Sequence, residues 1–198
     1  MNKVLISLLS AALSVAIAGT AIAQPIRLPE DARATIAETN GCAECELTNV
    51  RIRFGNYDGV DFTGATMVNF IFRQSSGVGA IFANADLSEA GFVISTVPEA
   101  DFSGASLTNA NFVSTNARDA HFSGANMSGM TFTDSILNGA DMTGVDLSGS
   151  SFENTGLAGT DFTDANLADA TLVTTNLAEA ILCRTTMPDG SINNDDCP

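Results

Sequence analysis

The feature that most constrains the fold is a period of five residues that runs without a slip from Leu47 to Leu182. Of the 28 positions in this register, only Gly77 and Ala117 lack a large apolar side chain. The residue two places before each position is small in almost every quintet, and the other three places are mostly Asp, Asn, Ser, Thr and Gly. Two residues in five, one large and one small, are therefore expected to point inward.

Neither a regular α-helix nor a flat β-strand satisfies this pattern. A step of five residues rotates an α-helix by about 500°, so an apolar stripe would wander around its axis. An odd step along a flat strand reverses the face each time. A chain that turns a corner after every quintet keeps the large side chains inside, and Gly and small polar residues suit such corners. Four corners close a square coil, so the sequence predicts an all-β, four-sided solenoid of stacked coils.

A second period supports this interpretation. Phe recurs at a spacing of ten residues, and the large inward positions between these Phe residues are mostly Leu or Met. In a four-sided coil a step of ten reaches the opposite face, so two opposite faces are expected to carry stacked Phe side chains. The Phe residues in this register are Phe62, Phe72, Phe82, Phe92, Phe102, Phe112, Phe122, Phe132, Phe152 and Phe162.

The quintets GADMT, GVDLS, GTDFT, DANLA and GASLT resemble those of the pentapeptide-repeat family, whose pattern is Ala-Asp/Asn-Leu-x-x. The resemblance covers residues 47–182 and implies a right-handed, quadrilateral β-solenoid in a protein that is not an enzyme. The quintets centred on Gly77 and Ala117 depart from the family pattern. Twenty-eight quintets make about seven coils, which stack to roughly 34 Å at a strand spacing of about 4.8 Å. The ends of such a stack need caps.

Residues 1–23 are typical of a secretory signal peptide. Lys3 precedes a long apolar run, and Ala21-Ile22-Ala23 forms a small-x-small cleavage site before Gln24. An uncleaved membrane anchor is the alternative, because the run approaches the roughly 20 residues that span a bilayer. We expect cleavage, a periplasmic or secreted location, and no membrane insertion of the mature chain.

Two segments flank the repeat. Residues 24–46 are expected to form an N-terminal cap with a short helix that begins near Pro29 and ends at Asn40-Gly41. Residues 183–198 break the period and contain the turn sequence Pro188-Asp189-Gly190, so they are expected to form the C-terminal cap.

The four cysteines fall in these caps. A redox site or a zinc site is one interpretation of the Cys42-x-x-Cys45 motif. However, Cys45 occupies a small inward position and is flanked by two glutamates, which oppose a stabilised thiolate. The other pair, Cys183 and Cys197, lies at the far end of the rod, whereas a disulfide needs Cα atoms within about 7 Å. We therefore expect structural disulfides Cys42–Cys45 and Cys183–Cys197.

The charge is strongly negative. Without Lys3, seven arginines remain against 23 acidic residues, a formal charge of −16. Direct nucleic-acid binding is therefore not expected, because phosphate backbones are bound by Lys and Arg. The resemblance also implies a further hypothesis, mimicry of duplex DNA to inhibit gyrase. Export away from the cytoplasm argues against it.

No catalytic constellation is visible. The only histidine, His121, is predicted to point to solvent, and no phosphate-binding loop or HExxH motif is present. We expect no enzyme activity and no cofactor. Four aspartates lie on one face at spacings that are multiples of twenty, and Asp141 and Asp161 should stand on adjacent coils. Carboxylate oxygens can bind Ca²⁺, which makes a cation- or small-ligand-binding module the alternative function. The four are Asp61, Asp101, Asp141 and Asp161.

An apolar surface is the strongest candidate site. Ile71, Val93, Ile94 and Val113 point outward by the repeat rule, and Val93 and Val113 are one coil apart. Contiguous exposed apolar surface often marks an association site. The sequence therefore favours an exported scaffold that presents a rigid acidic surface to an unidentified protein partner, or that forms a homo-oligomer.

Overall fold

The computed structural model describes residues 29–198, so the predicted signal peptide lies outside the described residues. Helix α1 spans Glu30–Thr39 and ends at Asn40, whose left-handed backbone and N–H bond to the Ile36 carbonyl close its last turn. Short strands follow it along the chain. They are β1 (Arg51–Arg53), β2 (Ile71–Arg73), β3 (Gly91–Val93), β4 (Asn111–Val113), β5 (Thr131–Thr133), β6 (Ser151–Glu153), β7 (Thr171–Val173), β8 (Thr185–Thr186) and β9 (Ile192–Asn193).

Strands β1 to β7 form one parallel sheet in sequence order. Each strand pairs with the equivalent strand four quintets later, as in Arg51↔Ile71 and Phe72↔Phe92. Bridges with the same step form three further columns, which begin at Gly41↔Asp61, Glu46↔Thr66 and Asn56↔Ser76. One column of pairing for each of the four quintets makes a four-sided coil, which confirms the predicted solenoid. Six register steps lead from β1 to β7.

The core is a column of stacked side chains. On one side the rings of Phe62, Phe82, Phe102 and Phe122 are nearly parallel, with centroids 4.8–5.2 Å apart. Half a coil away along the chain, a second Phe column lies directly behind the seven-stranded sheet. All Phe members of both columns are fully buried. The two opposite Phe columns predicted from the second period are therefore present.

The coils stay regular through the quintets of Gly77 and Ala117, which lack a large inward side chain. The N–H of Gly77 and the N–H of Ala117 both bond to the next coil, at 2.9 and 2.8 Å. A Cβ on Gly77 would lie 3.2 Å from the Phe72 ring, so the missing side chain makes room for that ring. The small residue therefore complements a large neighbour and does not interrupt the core.

The backbone ladder extends beyond the predicted repeat at both ends. Gly41 already pairs with Asp61, and Asn166 pairs with Thr186. Cys42, one quintet before the first predicted centre, is fully buried at the end of the core. The caps thus continue the quintet register over the residues next to the repeat, which the large-residue pattern did not indicate.

Both predicted disulfides are present, Cys42–Cys45 and Cys183–Cys197. The second joins residues on either side of the hairpin of β8 and β9, so it closes the base of that hairpin. Within residues 29–198, no helix has the length and hydropathy of a membrane span.

Removal of one stacked ring tests the core assignment. We expect Phe102→Ala to cost about 3–5 kcal/mol in the free energy of unfolding, because the ring is fully buried between two others. The matched control is Phe54→Ala, whose ring is 69% exposed and whose loss should cost less than about 1 kcal/mol. Urea denaturation measures both. Equal losses would contradict the inward and outward assignment.

The C-terminal cap offers a test by pH. Arg184 donates to Asp164 through Nε at 2.6 Å and Nη2 at 2.7 Å, and these bonds lower the pKa of the Asp164 carboxyl. A lowered pKa in the folded state means that the contribution to stability is present above the ordinary value of 3.8 and is lost as the pH falls through the lowered value.

Arg184→Gln should return the pKa of Asp164 to its ordinary range and speed amide exchange in the cap at pH values above the ordinary pKa of 3.8. The difference from the parent protein should disappear as the pH falls through the lowered pKa. NMR titration of the Asp164 carboxyl measures the shift. Arg118→Gln removes an equivalent exposed charge and should change neither quantity. An unaltered Asp164 titration in Arg184→Gln would show that another group sets this pKa.

Candidate functional site

The four apolar residues singled out from the sequence lie together on one face of the solenoid. We call this the strand face; it consists of the outward residues of β1 to β7 and the corner residue that follows each strand. Val93 and Val113 are cross-strand neighbours, and Ile71 pairs with Gly91. A Cβ on Gly91 would lie 3.0 Å from Ile71 Cδ1, so the isoleucine covers the space beside that glycine. Ile94 is 51% exposed at the corner after β3.

The structure adds Phe54 to this cluster. It is 69% exposed at the corner after β1, and the Arg53 guanidinium lies 4.9 Å from its ring centroid. Phe54 and Ile94 line one shallow depression of 530 Å³ along the edge of the strand face, with Gln74 on the coil between them. The repeat rule also places Phe54 outward, so an exposed aromatic at this place was a signal that the sequence contained.

A column of buried hydroxyls explains why the sheet forms on this face. From the coil of β2 onward, the small inward residue after the corner is Ser or Thr, whereas other faces mostly have Ala at the equivalent place. Ser95 Oγ donates to the Phe72 carbonyl at 2.9 Å and accepts the Ser75 N–H, and Thr115 Oγ1 donates to the Phe92 carbonyl at 2.8 Å. These hydroxyls satisfy backbone groups that a tight turn would otherwise pair. The column comprises the buried Ser75, Ser95, Thr115, Ser135 and Thr155 and the partly exposed Thr175.

The corner after each strand is left-handed. Its residues have φ between 48° and 56° on every coil, including 52° at Ile94. Asp and Asn tolerate this region, and Asp134 and Asn154 occupy it on later coils. A β-branched residue there is strained, typically by about 1–3 kcal/mol. Ile94 is therefore both exposed and conformationally unfavourable.

Charge is unevenly distributed around the rod. Arg51, Arg53 and Arg73 all lie on the first two strands of the strand face, although the chain is acidic as a whole. The first acidic residues on this face are Asp134 and Glu153, on the coils of β5 and β6. The only ion pair among the described side chains joins Arg184 to Asp164. The three arginines therefore have no carboxylate partner within that part of the chain.

The predicted aspartate column occupies the opposite face. Asp141 pairs with Asp161 on the adjacent coil, as expected. Each carboxylate accepts the N–H of the residue two places later, from Thr143 at 3.0 Å and from Thr163 at 2.8 Å. Asp61 and Asp101 make the same bond. These Asx turns give the aspartates a structural role at the corners.

Metal ligation finds no support in this geometry. In residues 29–198, no group of three or more His, Cys, Asp or Glu side chains is arranged to hold a metal ion. His121 lies in register between Asp101 and Asp141 and is exposed.

The similarity of the chain to known proteins is consistent with this architecture. The family model described as pentapeptide repeats matches it in eight copies, over residues 58–92, 100–139 and 118–154. A trypsin-treated form of QnrB1, described as a plasmid-mediated fluoroquinolone resistance protein, is 19% identical with a TM-score of 0.52, and the match covers 77% of this chain and 81% of QnrB1. No curated protein sequence matches.

Two other solved structures are pentapeptide repeat proteins. HetL, which is involved in heterocyst differentiation regulation in the cyanobacterium Nostoc, is 20% identical; the match covers 85% of this chain and 100% of HetL, with a TM-score of 0.29. A thylakoid-lumen protein of Arabidopsis thaliana is 31% identical over 58% of this chain and 70% of its own, with a TM-score of 0.24. At these levels of similarity only the QnrB1 match supports an argument, and that argument concerns the fold alone.

The strained corner can be relieved by substitution. We expect Ile94→Asn to raise the free energy of unfolding by about 1 kcal/mol, because Asn accepts the left-handed backbone. The reverse change at the equivalent corner, Asn154→Ile, should lower it by a similar amount, with loss of the Asn154–Asp134 side-chain bond adding to the cost. Thermal and urea denaturation measure both. A less stable Ile94→Asn variant would show that the exposed isoleucine contributes packing that outweighs its strain.

Proposed function

The chain belongs to the pentapeptide-repeat family, and we propose that it is an exported, non-enzymatic binding protein that docks a protein partner on its strand face. The observation that carries this proposal is the apolar cluster of the strand face, in which Phe54 and Ile94 are exposed. Ile71, Val93 and Val113 are half-buried beside them on the same flat, regular surface. Exposed apolar surface of this kind is typical of association sites in otherwise polar proteins.

The strain at Ile94 supports the same conclusion. A residue that lowers stability at a position where Asn or Asp would be better suited is a candidate for a role outside folding. Its side chain is 51% exposed beside the two valines of β3 and β4, so it lies where a partner could contact all three.

Export rests on the leader and on the cysteines. Residues 1–23 have the layout of a cleaved signal peptide. Every cysteine is paired in a disulfide, and disulfides persist in the periplasm and outside the cell. A periplasmic or secreted scaffold fits both features.

Two other functions are less well supported. Inhibition of gyrase by DNA mimicry would need a cytoplasmic protein, and the basic end of the strand face interrupts the acidic surface with three arginines. Cation binding by Asp141 and Asp161 would have to compete with the backbone N–H bonds that these carboxylates already accept.

A valine-to-aspartate substitution on the strand face tests the proposal. We expect Val93→Asp to reduce recovery of cross-linked partner from the native host at least tenfold, since it places a charge in the centre of the apolar cluster. Val78→Asp is the matched control, because Val78 is 38% exposed on another face. Quantitative mass spectrometry of the cross-linked material gives the ratio.

The fold should survive both changes, with thermal unfolding midpoints close to the parent value, because both side chains point outward. Equal recovery with Val93→Asp and Val78→Asp would contradict docking on the strand face. A collapsed Val93→Asp fold would instead move the test to Ile94→Asp, whose side chain is more exposed.

A further inference from the structure

We propose that the partner docked on the strand face is a second copy of this chain, in an antiparallel two-fold dimer. This inference rests on the proposed function, because it names the occupant of the same surface. It begins from the order of residues along the rod. Basic residues stand on β1 and β2, apolar residues on β2 to β4, and acidic residues on the coils of β5 and β6. A surface with that order is complementary to itself after reversal.

The register of the dimer follows from a two-fold axis that runs parallel to the strands, midway between β3 and β4. Such an axis reverses the rods but preserves the position of each residue along its strand. Strand β1 then faces β6 of the second copy, β2 faces β5, and β3 faces β4. Interfaces of this type are isologous, so each contact occurs twice.

This register creates favourable contacts at three places in the interface. Val93 meets Val113 of the second copy at the centre, where both occupy the third position of their strands. Arg53 meets Glu153, again at the third position of the strand in each case. Arg73 comes beside the corner that carries Asp134.

The parallel arrangement is excluded by the same residues. It would bring each strand opposite its own copy and stack the arginines of β1 and β2 against themselves. Like charges in contact are costly, whereas the antiparallel arrangement gives Arg53 and Arg73 the carboxylates that they lack within the described part of a single chain.

The size of the surface sets the strength of the dimer. Six strands spaced by about 4.8 Å, with three residues of about 3.3 Å each, give a flat footprint of roughly 29 by 10 Å on each copy. This is less than the roughly 800 Å² per partner of a standard stable interface. The dimer is therefore reversible and sensitive to salt, and the ion pairs at its two ends fix its register.

Charge reversal across the two-fold axis tests the dimer. Sedimentation velocity of the purified protein, from micromolar to millimolar concentration, should show a monomer–dimer equilibrium that weakens with added salt. Arg53→Glu and Glu153→Arg should each lower the association constant on the order of tenfold. The double variant that carries both changes should recover it to within about threefold, because the pair is restored with reversed polarity.

The control is Arg118→Glu, which makes the same charge change on another face and should leave association unaltered. Both tested side chains are exposed, so the variants are expected to fold, and circular dichroism melting verifies this. A monomer at all concentrations, single reversals without effect, or a double variant that fails to recover would each overturn the dimer.

The two proposals fail in different ways. A strictly monomeric protein whose cross-linking to a different protein is lost in Val93→Asp would overturn the dimer and leave the binding function in place. If Val93→Asp matches Val78→Asp in both sedimentation and cross-linking, the strand face is not a docking surface and both proposals fail.

Discussion

The in-register backbone ladder is the interaction on which the rest of this structure depends. Each coil donates N–H groups to carbonyls of its neighbour at a step that stays constant along the rod, as in Phe62 to Ile81 and Phe82 to Asp101, so equivalent positions lie directly above one another. Side chains consequently form columns. Phe stacks on Phe in the core at the spacing of the strands, and hydroxyl stacks on hydroxyl at the corner of the strand face.

The same columns govern the surface. The nearest neighbours of any outward residue are the residues at the equivalent positions of the two adjacent coils. A residue type that recurs from coil to coil therefore forms a stripe along the rod. A residue type that changes along the coils forms a gradient. On the aspartate face, His121 and Ile81 interrupt the carboxylates, which spares the ladder most contacts between like charges. On the strand face, the step from arginine to valine to glutamate produces a gradient along the rod.

Much of the fold and of the strand face could be predicted from the sequence, because the period of five residues never slips. Once four quintets close a coil, the contact of Val93 with Val113 and the two Phe columns follow by counting, and so does the placement of the two disulfides at opposite ends. The extension of the ladder to Gly41 and Thr186 did not follow, because backbone pairing needs no large side chain to mark it.

Which face carries continuous strands was also not indicated by the large residues. It depends on the hydroxyl column from Ser75 to Thr175, a Ser/Thr preference that recurs once per coil and is visible only when the small inward residues are sorted by face. Phe54 was missed for a related reason. Its position in the quintet marks it as outward, but Phe was interpreted throughout as a core residue, and at this one corner it is not.

A solenoid rod can associate through its ends or through its flat faces, and the two routes differ in this structure. End-to-end growth would extend the ladder, and the two ends are where α1, the hairpin of β8 and β9, and both disulfides are found. These elements cover or tie edges that would otherwise pair with another chain. Within residues 29–198 no helix or hairpin covers the strand face, and in the proposed dimer its charge gradient selects one reversed orientation. A two-fold contact of this kind uses the face once in each copy and then closes, so a solenoid whose ends are blocked can associate laterally without forming a fibre.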